Sequence, residues 1–225
     1  MKIEEHRLKG VYQAKQGKKK TLLFTKNLTP GTKVYQERLI KTPSGEYREW
    51  EANKSKLGAA IKNNISQTGI KPGSVVLYLG SGSGTTPSHV SDIVGREGFI
   101  FALDFAPRVV RDLVFVCEDR KNMAPILGDA ARPDSFAERV CQADVIFQDI
   151  AQADQVEILI KNADKFLKKD GFAILAVKSR SIDVTRKPKD VFKEVRAKLE
   201  KRFRIADYRD LAPFEKDHCL FVCKN

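Results

Sequence analysis

VVLYLGSGSGTT, residues 75–86, is an apolar run that breaks off into alternating Gly and Ser. So short and continuous a run of Val, Leu and Tyr predicts a strand buried on both faces. The glycines behind it let the backbone turn sharply and approach a ligand closely. Gly80, Gly82 and Gly84 make a GxGxG pattern, near the dinucleotide fingerprint but without its last spacing. Asp104 stands 20 residues beyond Gly84, at the end of a second apolar run, FIFALD, where a carboxylate can accept ribose hydroxyls. No Gly-Lys-Ser/Thr follows the loop, so it is not of the triphosphate-binding type.

Downstream, apolar runs alternate with amphipathic stretches. Helices are predicted over 87–94, 107–119, 135–140, 154–167 and 189–201. Between and after them, FIFALD, APIL, DVIFQDI, GFAILAVK, FRIADYRDL and HCLFVCK read as strands. Such alternation with short connections predicts an α/β fold: a mainly parallel sheet with helices on both faces and a terminal β hairpin. The ligand crevice of such a sheet lies at the carboxyl ends of its strands. Upstream, GVYQA, TLLFT and KVYQERLI read as strands split by the turn signals NLTPGT and TPSGE, a small antiparallel β unit. Within EWEANKSKLGAAIKNNI a helix is expected to begin near Asn53. The expected division is therefore 1–52 for the β unit and 53–225 for the α/β domain.

The 225 residues carry 41 Lys and Arg against 29 Asp and Glu, a formal charge of +12. That excess favours a polyanionic partner, although a charged surface of this density also suits a heat-adapted protein. Lys15, Lys18, Lys19 and Lys20 mark a basic hairpin tip, either solvated or in contact with phosphate. Cys117, Cys141, Cys219 and Cys223 show no metal-ligand or disulfide spacing and are expected to be reduced and buried, the last two sharing one face of the final strand. No apolar run reaches membrane-spanning length, so no membrane partner and a cytoplasmic location are expected.

Polar residues stand at successive strand ends: Thr85 and Thr86 after the glycine loop, Asp104 with Phe105, Asp129 with Ala130, Asp149, and Lys178. Each alone has an ordinary reading. Asp129 can cap a helix, Lys56 can be a solvated helix residue, and His218 can end a strand. Together, at the ends of strands that gather around one crevice, they predict a site with Lys178 part-buried in it.

YREW followed by SKLGAAI, YLGSGSGTT, SHVSDIVG, ALDFAPR, GDAARP, VIFQDIAQ, AVKSRSID and the late EKDH together resemble the archaeal fibrillarins, over essentially the whole chain. The resemblance implies a class I, Rossmann-like methyltransferase using S-adenosylmethionine. Gly80, Gly82, Thr85 and Thr86 would lie against its methionine end, Asp104 on the ribose, and Phe105, Asp129 and Ala130 by the adenine. Asp149, Ile150, Ala151 and Gln152 would close the site. The family's catalytic set falls on Lys56, Asp149, Lys178 and His218, with no metal. The reaction implied is ribose 2′-O-methylation of rRNA and tRNA within a box C/D guide-RNA particle. Its expected partners are a Nop-type scaffold protein and a kink-turn-binding protein related to ribosomal protein L7a. Three other readings remain: a protein (glutamine) methyltransferase on the same fold, a non-catalytic RNA-binding subunit, and a nicotinamide-dependent dehydrogenase, which the GxGxG spacing disfavours.

Overall fold

Residues 1–17 and 20–225 are described by a computed structural model; Lys18 and Lys19 of the basic hairpin tip lie outside the described residues. The strands described form two sheets. The first, in the order β1-β2-β3-β5-β4, is antiparallel and built from β1 (Glu4–Glu5), β2 (Val11–Gln16), β3 (Lys20–Lys26), β4 (Leu39–Thr42) and β5 (Gly45–Trp50).

The second sheet joins β6 (Val75–Leu79), β7 (Phe99–Asp104), β8 (Met123–Leu127), β9 (Ala143–Gln148), β10 (Leu167–Lys178), β11 (Arg204–Asp210) and β12 (His218–Lys224). Their order is β11-β12-β10-β9-β6-β7-β8, parallel from β10 to β8 and closed at the other edge by the antiparallel β11–β12 hairpin. This is the expected Rossmann-like sheet. The chain leaves β6 for β7 on one side and reaches β9 on the other, so the crevice opens where β6 and β9 end side by side.

Helices α1 (Lys56–Lys62), α2 (Thr85–Val94) and α3 (Pro107–Asp119) cover one face, and α4 (Gln155–Phe166) and α6 (Pro188–Leu199) the other, with the short α5 (Ser179–Ile182) between β10 and α6. The period of two along each strand divides the core accordingly. Tyr78, Phe147, Ile174, Ala176, Leu220 and Val222 pack with Leu57, Val90 and Leu113. Leu79, Ile146, Leu175, Val177 and Phe221 pack with Leu159, Val191 and Val195 on the opposite face.

Several expectations need correction. Helix α1 begins at Lys56, because a 3-10 turn over Ala52–Lys54 precedes it and Ser55 caps it. The segment 135–140 is likewise part of a 3-10 helix, Pro133–Arg139. Of KVYQERLI only Leu39 and Ile40 are strand. Glu37 folds the earlier part back by accepting the amides of Val34 and Tyr35 at 3.0 and 2.8 Å. GEYREW, whose first two residues were read as the end of the turn TPSGE, is strand β5. The cysteines divide: Cys219 and Cys223 are buried, and burial pushes the Cys223 thiol up to about 12, whereas Cys117 is half-buried and Cys141 exposed.

A buried ionic network pins the first sheet to α2. Arg48 of β5 donates to Glu37 at 2.9 Å, to Asp92 of α2 at 2.9 Å and to Ser88 at 3.0 Å, and Arg120 at the end of α3 donates to Asp92 at 2.7 Å. All four charged side chains are essentially inaccessible. Two cations face two anions, so the cluster is neutral, the condition under which charges tolerate burial. Among the described residues no helix is long and apolar enough to cross a membrane.

Candidate active site

The loop after β6 follows a path that only glycine permits. Gly80 has φ +79°, and a Cβ there would stand 2.2 Å from the Asp149 carbonyl oxygen, so the absent side chain lets β6 end directly against β9. The Gly80 and Ser81 amides donate to the Leu103 carbonyl at 2.9 and 3.0 Å, and the Gly82 amide donates to the Asp104 carboxylate at 2.9 Å. The other Asp104 oxygen accepts the Ala106 amide at 3.1 Å. One carboxylate thus fastens the glycine loop to the end of β7, and each oxygen keeps lone-pair capacity for a further donor.

Around this junction lies a cavity lined by residues expected from the sequence: Gly80, Asp104, Phe105, Asp129, Ala130, Asp149, Ile150, Ala151 and Gln152. Leu103, Gly128, Ala131 and Ile158 complete the wall and were not anticipated. Gly128 was legible, since it directly precedes Asp129 at a strand end; Ile158, from the first turn of α4, carried no local signal. Gly82, Thr85 and Thr86 do not line the cavity. Gly82 stands behind it on Asp104, Thr85 opens α2, and the Thr86 hydroxyl donates to Ser55 Oγ at 3.0 Å. Asp129 accepts the Ala131 amide at 2.9 Å and pairs with Arg132 at 3.2 Å, so it both caps a turn and lines the cavity.

S-adenosylmethionine fits these residues. Phe105 stands 73% exposed at the rim, an aromatic face left bare where an adenine could stack. Asp104 beside it offers acceptors for hydroxyls. A Cβ on Gly82 would meet nothing within 4 Å, so the space over the loop is open. The remaining side chains of the wall are apolar apart from the carboxylates Asp129 and Asp149 and the amide of Gln152, a lining suited to a cationic nucleoside.

At one end, the cavity wall is also half of an ion pair. Lys56 Nζ donates to both oxygens of Asp149, at 2.8 and 2.9 Å, with the two side chains 22% and 24% exposed. Ninety-three residues of chain separate them. Beneath this pair Tyr78 is fully buried and stacks on Phe147 with ring centroids 4.6 Å apart. Burial first, and then the Asp149 carboxylate, push its phenol well above its ordinary value, so it stays neutral.

Lys178 and His218 meet across the sheet: they are direct cross-strand partners at the mouths of β10 and β12. Opposite residues of an antiparallel pair share a face. By strand parity that face is the one holding Phe147, Ala176 and Leu220, which α1 also covers. His218 Nδ1 lies 2.6 Å from the Lys216 carbonyl and therefore donates to it, leaving Nε2 for another partner. The preceding turn is tied down by Ser179 N and Oγ on the Asp217 carbonyl, at 3.0 and 3.1 Å, and by Arg180 on the Asp217 carboxylate at 3.1 Å. Lys178 is exposed, not part-buried as expected, because β10 carries it beyond the covering helices; neither it nor His218 lines the cavity.

A profile of the fibrillarin family matches residues 3–225. The fibrillarin-like rRNA/tRNA 2′-O-methyltransferase of Thermococcus gammatolerans is 53% identical over 224 residues, covering 100% of this chain and 99% of that protein. Among solved structures, Aeropyrum pernix fibrillarin with natively bound S-adenosylmethionine superimposes with a TM-score of 0.91 at 41% identity, over 99% of this chain and 98% of that one. The fibrillarin in a fibrillarin/Nop5p complex does so with a TM-score of 0.85 at 37% identity, over 97% and 99%.

Proposed function

The chain belongs to the fibrillarin family, and from that premise we propose that it transfers the methyl group of S-adenosylmethionine to ribose 2′-hydroxyls of ribosomal and transfer RNA. The observation that carries this reading is the double use of Asp149, which lines the nucleoside-sized cavity and holds the Lys56 ammonium. Residues 1–52 then act as an accessory β unit and 53–225 as the methyltransferase domain.

A ribose hydroxyl is a poor nucleophile at neutral pH. S-adenosylmethionine, when bound, supplies a sulfonium methyl that is already an activated electrophile, so the chain's own tasks are alignment and removal of one proton. Gly80, Asp104, Phe105, Asp129, Ala130 and the run Asp149–Gln152 hold the cofactor, with Gly82, Thr85 and Thr86 shaping the loop that backs it. Asp149 fixes the Lys56 ammonium at the edge of the cavity. Lys178, on the same face of the sheet and open to solvent, relays the hydroxyl proton: its ammonium gives one proton to water and the amine so formed takes the one from the hydroxyl. His218 beside it presents Nε2 to the phosphate or ribose of the target nucleotide.

Selection of the nucleotide falls to partners, in line with the Nop5p complex formed by a related fibrillarin. We place the chain in a cytoplasmic box C/D particle, on a Nop-type scaffold, with a kink-turn-binding protein related to ribosomal protein L7a and a guide RNA that pairs with the target. The test is a tritiated-methyl assay with the assembled particle, offering guide-paired RNA, mispaired RNA and protein. Label on the 2′-oxygen of the paired nucleotide alone is expected. Label on protein, or none anywhere despite cofactor binding, would replace this reading with a protein methyltransferase or a non-catalytic subunit.

A further inference from the structure

Lys56 is the first residue of α1, and what fixes that helix end fixes the ammonium on Asp149. We propose that Ser55 is a positioning residue for methyl transfer: its hydroxyl ties the first turn of α1 to Thr86 and so sets where Lys56 stands. The inference rests on the methyl-transfer reading above and adds to it a residue outside the set that touches cofactor or substrate.

Ser55 is buried, in an extended conformation between the 3-10 turn and α1. Its Oγ accepts two hydrogen bonds, from the Gly58 amide at 3.1 Å and from the Thr86 hydroxyl at 3.0 Å. The first is an ordinary N-cap. The second is not needed to cap a helix, and it crosses to the first turn of α2, directly behind the glycine loop. Both hydroxyls lie in a dry site, where a hydrogen bond is strong and a lost one is not replaced by water.

The first turn of α1 has a second contact that leads to α2. A Cβ on Gly58 would stand 3.1 Å from Trp50 Nε1, so the helix already touches the indole. Trp50 has no room to retreat, because it is buried and its ring stacks on His89 of α2 with centroids 4.8 Å apart and planes 12° from parallel. The first turn of α1 is therefore clamped to α2 at two points, by Thr86 directly and by His89 through Trp50. Lys56 is adjacent to the clamp, and its ammonium meets both carboxylate oxygens at nearly equal distance, a geometry that a small shift of the helix end would lose.

The test uses the full chain, in the assembled particle for turnover and alone with S-adenosylmethionine for binding and for NMR of the lysine ammonium groups. Ser55→Ala is expected to lower kcat about tenfold, since a misplacement of about 1 Å remote from the reacting atoms can cost about a hundredfold and loss of one tether should shift Lys56 by less. The Kd for S-adenosylmethionine and the KM for RNA should stay within about twofold of wild type. The Lys56 ammonium resonance should move to the position of an exposed lysine, and Ser55→Thr should restore both it and kcat. Thr86→Val, which removes the donor while leaving the N-cap, should reproduce the loss of the Lys56 signal and serves if Ser55→Ala does not fold. A wild-type kcat and Lys56 resonance in Ser55→Ala would overturn the inference, as would a failure of Ser55→Thr to rescue. If the wild-type particle transfers no methyl group to RNA, the functional reading fails, and the Lys56 resonance in the three variants still decides the role of Ser55.

Discussion

Acidification below about pH 6.5 should destabilise the fold through His89. This ring is fully buried on α2, with Nδ1 2.8 Å from Thr25 Oγ1 and Nε2 2.7 Å from the Tyr35 hydroxyl. Thr25 gives its one proton to Asp92 at 2.7 Å. It must therefore accept from Nδ1–H, whereas the Tyr35 phenol beside Nε2 also reaches the Glu49 carbonyl at 3.2 Å, so the hydrogen bonds suit Nε2 as acceptor or donor and the ring's neutrality rests on its burial. Burial first, then the charges of Arg48 and Arg120, hold the ring well below its ordinary value. The unfolded ring titrates near 6.5, so between the two values the unfolded chain binds a proton that the folded chain refuses. Stability is then present above about pH 6.5 and falls at about 1.4 kcal/mol per pH unit below it. Between pH 7 and pH 5 the loss integrates to about 2 kcal/mol. Urea unfolding of wild type and His89→Gln at both pH values isolates the term, because every other titrating group cancels in the difference. The stability advantage of wild type should shrink by about 2 kcal/mol at pH 5. A change smaller than about 0.5 kcal/mol, the usual error of additivity, would refute the assignment of a neutral ring.

Asp92→Asn removes the anion shared by Arg48 and Arg120, and urea unfolding should report a loss of about 3–5 kcal/mol, the range for breaking a buried pair. Gly80→Ala forces a Cβ against the Asp149 carbonyl at positive φ; calorimetry should find S-adenosylmethionine bound at least about tenfold more weakly. Asp217→Ala frees the turn before His218 by removing the Arg180 contact, an exposed pair, so stability should change by no more than about 1 kcal/mol. Turnover on RNA should nevertheless fall while cofactor affinity holds, as measured by single-turnover kinetics beside calorimetry.

The larger sheet was legible because its strands obey simple rules: VVLYL, FIFAL and VIF are apolar throughout, as strands buried on both faces must be. The first sheet was legible only in part, because charge hides its pattern. In GEYREW, Glu46 and Arg48 are buried, satisfied by Asn27 and Gly31 in one case and by Glu37 and Asp92 in the other. Partners that distant leave no local signal, so the start of a buried strand read as a polar turn. KVYQERLI failed for the complementary reason. Its alternation suggests a strand, but Glu37 must bend the segment to reach Arg48, 11 residues on.

The cavity wall was anticipated because strand ends converge by topology, a property that apolar runs and their terminal polar residues make readable. The exposure of Lys178 and the hydrogen bond between Ser55 and Thr86 were not readable. The first depends on where the covering helices stop over the sheet, and the second joins segments 31 residues apart.

A crystal structure of this chain with S-adenosylmethionine bears most directly on the shared site. The adenine should stack at Phe105 and the ribose hydroxyls should donate to Asp104. The sulfonium methyl should lie on the sheet face that carries the Lys56–Asp149 pair, Lys178 and His218. A cofactor bound elsewhere, or one in this cavity whose methyl group points to the opposite face of the sheet, would contradict the account.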